Sequence, residues 1–118
     1  MILGEIMERE QIEKLSREYS VLQEQIQSLA IQREQFLERK EEYKEAFKEV
    51  EGASGKVYLA VGGAIVEVQK DYALKNITEK EEVADMRISI VKKQYDDLVK
   101  KEQTLRNEIN SAIKELKG

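Results

Sequence analysis

Two adjacent carboxylate pairs, Glu41-Glu42 and Asp96-Asp97, and one diglycine, Gly62-Gly63, come nearest to reactive chemistry in this 118-residue sequence. None of them supports it. Neighbouring side chains on a helix diverge by about 100°, so neither acid pair can share a proton or a substrate atom. No helix start with a phosphate-binding Lys follows the diglycine, so it reads as a turn. The chain also lacks His and Cys, which excludes an imidazole base, thiol chemistry, zinc fingers and a disulfide framework. We therefore expect no enzyme, no metal and no cofactor. What remains is binding through apolar side chains, and the question becomes which elements present them.

Composition narrows the answer. Charged residues make up 37% and apolar ones 41%, with 6% aromatic and no Pro or Trp. That balance suits a long helical or coiled-coil chain of a single domain (1–118) better than a thick globular core. A net charge of −4 disfavours nucleic acid, which calls for a basic face. The opening MILGEIM is too short and too acidic for a signal peptide or a membrane span. A cytoplasmic protein is the expectation.

Residues 1–51 read as a coiled-coil helix. One set of heptad positions holds Ile12, Tyr19, Ile26, Arg33, Lys40 and Phe47; the other holds Leu15, Leu22, Leu29, Phe36, Tyr43 and Val50. Apolar residues alternating three and four apart form such a seam. Residues 78–117 repeat the pattern with Ile88, Tyr95, Glu102, Ile109 and Leu116, and with Val91, Leu98, Leu105 and Ala112. Thr78 and Glu81 have the spacing of a capping box, which predicts the second helix to start there. Arg33, Lys40 and Glu102 interrupt the seams, as polar residues that fix register do.

Between the helices (52–77) the period changes to two. Gly52-Ala53-Ser54-Gly55 supplies two glycines able to end the first helix in left-handed geometry. Val57-Tyr58-Leu59-Ala60-Val61 and Ala64-Ile65-Val66-Glu67-Val68, joined by Gly62-Gly63, predict a hairpin on a two-residue primed turn. The register pairs Val61 with Ala64, Leu59 with Val66 and Val57 with Val68, so all six share one apolar face. Tyr58 and Ile65 lie on the other. A lone hairpin is marginal in water, and its open edges invite further strands. The hairpin is thus expected to complete a sheet with other subunits, through Val57, Tyr58, Leu59, Val61, Gly62, Ala64, Ile65, Val66 and Val68; the alternative, that it folds back onto the base of its own coiled coil, is disfavoured because two helices supply little apolar surface beyond their shared seam.

The helices should pair antiparallel within the chain, with residue numbers of facing pairs summing to about 124–131. The first eight to ten residues then overhang. Ile2, Leu3, Ile6 and Met7 in that segment, with Ile109, Ile113 and Leu116 near the other helix's end, are the candidate binding residues. Ile113 lies beside the seam, while Ile109 and Leu116 also serve it.

The order helix, V-Y-x-x-V-G-x-x-I-V (Val57, Tyr58, Val61, Gly62, Ile65, Val66), helix with Met86-Arg87-Ile88 resembles the beta-class subunit of archaeal prefoldin over essentially the whole chain. Alpha-class subunits carry two hairpins, and the spacer from Gly52 to Ile77 has room for one. Val68-Gln69-Lys70-Asp71-Tyr72 departs from the Thr/Lys-rich stretch of that family. The resemblance implies a mainly α fold, a long antiparallel coiled-coil hairpin whose β-hairpin joins an intersubunit β-barrel. It also implies an ATP-independent cytosolic chaperone whose distal tips hold unfolded or nascent proteins and pass them to a group II chaperonin. Its partners would be prefoldin alpha-class subunits or copies of itself. Three other readings stand beside it: a self-assembling prefoldin-like ring or filament, a structural coiled coil with no client affinity, and an enzyme-appended helical arm that grips RNA, against which the acidic balance speaks.

Overall fold

The computed structural model describes the backbone of residues 2–117 and the side chains of residues 4–117. Four elements follow one another: α1 (Ile2–Glu51), β1 (Val57–Val61), β2 (Ala64–Val68) and α2 (Lys70–Lys117). They form two compact units, one of residues 1–31 with 91–118 and one of residues 32–90. Both helices contribute to each.

The heptad seams are those read from the sequence. Every seam position of α1 from Ile12 to Val50 is buried or half-buried except Arg33, which is exposed. All the seam positions of α2 from Ile88 to Leu116 are likewise covered. The core is thin: Leu22, Val57, Ala73, Ile77, Ala84 and Val91 are its buried apolar residues among those described. Such a seam buries one stripe per helix, which leaves the other faces to Glu, Lys, Gln and Arg.

The second helix starts eight residues earlier than the expected capping box. It begins at Lys70, and Thr78 sits inside it, its hydroxyl donating to the Leu74 carbonyl at 2.9 Å. The seam itself explains the difference. Ala84 and Ile77 lie one and two heptads before Val91, Ala73 stands four residues before Ile77, and the three are among the least exposed residues described, at 4%, 9% and 2%. Packing of that stripe overrides the local cap signal. Asp71 in the first turn favours the helix's positive end.

The end of α1 also departs from expectation. Neither Gly52 nor Gly55 adopts left-handed geometry; Gly62 is the one glycine described with positive φ. The Gly52 amide instead donates to the Lys48 carbonyl at 3.0 Å, and the Ala53 amide to Val50 at 3.1 Å. The Lys70 ammonium then donates to the carbonyls of Glu51 (2.5 Å) and Ala53 (3.1 Å). A cation on the last carbonyls of a helix does what a glycine cap does by backbone geometry. Lys70 therefore joins the end of one helix to the beginning of the other.

β1 and β2 pair antiparallel in the expected register, Val57 with Val68, Leu59 with Val66 and Val61 with Ala64. At the turn Gly62 has φ 59°, and Gly63 is not positive. These signs are those of a type II′ turn, whose first central residue calls for glycine.

Candidate functional site

The hairpin is covered at its root and open at its turn. Val57 is 8% exposed, and Leu59 and Val68 are half-buried. Further along the same face Val66 is 46% and Val61 57% exposed, and Ala64 is exposed as well. The sequence favours other subunits as the cover for this face over the chain's own coiled coil; the structure shows that the chain itself covers the root. On the other face Tyr58 and Ile65 are 56% and 76% exposed. The outer half of the hairpin thus presents apolar side chains on both faces and carries two unpaired strand edges, since the sheet has two strands.

In the other unit the candidate binding residues separate into two groups. Ile6 and Met7 are 47% and 61% exposed. Ile109, Ile113 and Leu116 are half-buried, so Ile113 is more covered than its place beside the seam suggests. The side chains of Ile2 and Leu3 lie outside the described residues. The facing pairs of the helices centre at the lower end of the expected range. Tyr19 meets Glu102, a pair summing to about 121, while Leu15 with Ala112 and Leu29 with Leu98 line common grooves and sum to about 127.

Two of the three polar residues that interrupt the seams, Glu102 and Lys40, are partnered across them. In the unit of residues 1–31 and 91–118, Glu102 is 8% exposed. Its Oε1 accepts from the Tyr19 hydroxyl at 2.7 Å and from the Arg106 guanidinium on its own helix. Tyr19 Oη in turn accepts from Gln23 Nε2 (3.0 Å) and Arg106 Nη2 (3.3 Å). Its one donor and both lone pairs are therefore used. The Tyr19 hydrogen bond, opposed by desolvation and reinforced by Arg106, holds the Glu102 carboxyl below its ordinary range. In the unit of residues 32–90, Lys40 meets Asp85 at 2.7 Å, and that hydrogen bond and charge raise the ammonium's pKa. Nearby, Arg87 stands over the Phe36 ring at 5.7 Å.

One surface escaped the sequence reading. Val83, Met86 and Ile90 are 47%, 64% and 55% exposed on α2. Their three-four spacing was visible but was masked by the stronger stripe of Ala84, Ile88 and Val91 beside it.

Paired helices of this kind, joined by a hairpin with an open outer half, make a coiled-coil module that leaves apolar side chains exposed. The comparisons make the class specific. A family model described as prefoldin subunit matches residues 12–116. The chain belongs to the prefoldin subunit family. It is 25% identical over 109 residues to the prefoldin subunit beta of Pyrobaculum calidifontis, covering 91% of this chain and 87% of that one. To the prefoldin subunit beta of Archaeoglobus fulgidus it is 30% identical over 90 residues, 75% of this chain and 78% of the other. The crystal structure of the prefoldin beta subunit from Thermococcus strain KS-1 superposes with a TM-score of 0.79 at 29% identity, covering 86% of this chain and 91% of that one. Membership in this family implies a chaperone function.

Proposed function

We propose that this chain is a prefoldin beta-like subunit of a cytosolic holdase that captures non-native proteins without nucleotide and hands them to a group II chaperonin. The observation that carries the reading is the exposure of apolar side chains at the start of α1 and on the outer half of the hairpin, Ile6 and Met7 in one place, Val61, Ile65 and Val66 in the other. The hairpin residues join subunits, whether alpha-class partners or further copies of this chain. Ile6 and Met7, with Ile2 and Leu3 of the same segment, hold client. Met adapts well to varied apolar sequences because its thioether side chain is flexible. Ile109, Ile113 and Leu116 add to this grip only where client contact draws them out of the seam. Val83, Met86 and Ile90 offer a further apolar strip along α2. Covering one half-exposed side chain of this size contributes about 1 kcal/mol. Affinity then depends on several arms acting together, by effective concentration rather than by any one pocket.

The test places a photo-crosslinking residue at Met7 or, as a control, at exposed Arg39, and adds a denatured protein. Crosslinking to the client from Met7, with little from Arg39, supports the reading. Equal labelling at both positions rejects a client site at the start of α1. Measuring the mass of the purified chain alone separates a closed complex from the ladder of sizes that a filament gives.

A further inference from the structure

We propose that the cross-helix cluster of Tyr19, Glu102 and Arg106 is a register clasp: it selects the antiparallel alignment of the two helices in the unit of residues 1–31 and 91–118. The apolar seam there does not select it alone. Leu15, Leu22 and Leu29 recur every seven residues on α1, as do Leu98 and Leu105 on α2. A slide of one heptad sets leucine against leucine again, at little cost in packing. The connection through the hairpin restrains a slide from the other unit. About thirty residues of α2 separate Lys70 from Glu102, however, enough to absorb a local stagger.

The clasp distinguishes the alternatives. In the observed register Glu102 finds the Tyr19 hydroxyl at 2.7 Å. One heptad away in either direction, it faces Ile12 or Ile26 instead. Arg106 travels with Glu102 on the same helix, four residues on, so it accompanies the carboxylate in every register and cannot discriminate between them. Tyr19 is the group that does. A slipped register would bury a carboxylate without its cross-helix donor, at 8% exposure, and would strand the hydroxyl. Leaving buried polar groups unsatisfied costs more than the net worth of the bond itself. The consequence is positional: the same alignment decides whether Ile6 and Met7 lie beside the end of α2 or clear of it. That last step rests on the client reading above; the clasp does not.

The natural chain has no Cys, so introduced pairs report register without background. Gln25→Cys with Asp97→Cys flanks a groove between the helices as observed. Gln25→Cys with Thr104→Cys, and Glu18→Cys with Asp97→Cys, report slides of one heptad in the two directions. Intrachain disulfide formation is timed in the whole protein carrying the natural clasp, Glu102→Leu, Tyr19→Phe or Glu102→Gln. With the natural clasp only Gln25/Asp97 closes readily. Glu102→Leu should raise the rate of at least one slipped pair relative to Gln25/Asp97 by tenfold or more, while helicity is kept and the melting temperature holds or rises. Tyr19→Phe should shift the ratio in the same direction. Glu102→Gln, which still accepts from Tyr19, should stay close to the natural chain. If the slipped pairs remain slow in both Glu102→Leu and Tyr19→Phe, the cluster does not set the register. Client crosslinking is not involved, so failure here leaves the holdase reading standing, and the reverse also holds.

Discussion

Replacing Val66 with Asp separates assembly from folding, because the side chain is open in the single chain but central to the face proposed to join other subunits. At 46% exposure, covering Val66 by a neighbour contributes about 1 kcal/mol. A carboxylate trapped there without a partner costs at least about 3 kcal/mol. The combined change of about 4 kcal/mol weakens each contact by roughly a thousandfold. Within the chain the same Asp stays near water, opposite Leu59, so helicity and melting of the arms should barely change. Val57→Asp is the contrast. That side chain is 8% exposed and is covered by the chain itself, so its replacement should lower the melting temperature of the subunit as well. Sedimentation velocity and circular dichroism report the two quantities separately. An unchanged oligomer for Val66→Asp would refute the assignment of the hairpin face to assembly. A loss of helicity equal to that of Val57→Asp would show that Val66 belongs to the subunit's own core.

Other variants test other parts of the account. A Cβ added at Gly62 meets no atom within 4 Å, so the cost of Gly62→Val, about 1–2 kcal/mol, is set mainly by φ 59°; weakened assembly is expected, whereas Gly63→Ala should be tolerated. Lys70→Met removes both bonds to the α1 terminus, and a loss of about 1 kcal/mol in thermal or denaturant unfolding is expected. Ile6→Ser with Met7→Ser should reduce protection of an unfolded client severalfold at unchanged mass and melting temperature, as should deletion of residues 1–9. The Glu102 carboxyl titrates below its ordinary value of 4.5, so its contribution to stability is complete above that pH and is lost as pH falls through the lowered value. The melting-temperature advantage of the natural chain over Glu102→Gln should accordingly be constant near neutrality and vanish in acid.

The parts of the fold with a strict period were legible in the sequence. Val57 through Val68 is two β-rich runs of equal length around two glycines, and the register follows from that symmetry without tertiary information. The α1 seam is equally plain because its apolar residues are large. The start of α2 was hidden for a physical reason. Ala73 and Ala84 carry the packing there with small side chains, Glu81 occupies a seam position, and Thr78 with Glu81 imitates a cap that the packed stripe overrides. Lys70 was unreadable as a cap, since nothing local to it reveals the carbonyls of Glu51 and Ala53 that it meets across the hairpin. Glu102 was recognised as a seam interruption, but its partner Tyr19 looked like an ordinary apolar seam residue until the hydroxyl's direction was known. The coverage of Val57 by its own chain, against the openness of Val61, likewise depends on packing that alternation alone does not encode.

The central claim is that this protein holds unfolded chains by apolar contact, with no chemistry. Light scattering of a denatured, aggregation-prone protein, diluted into buffer free of nucleotide with or without the assembled wild-type protein, tests it most directly. The account predicts that scattering is suppressed as the assembly reaches roughly stoichiometric amounts, and that Val66→Asp, which leaves isolated arms, protects far less at equal chain concentration. Scattering that is unaffected by the assembled protein would contradict it, and would leave a coiled-coil spacer in place of a chaperone.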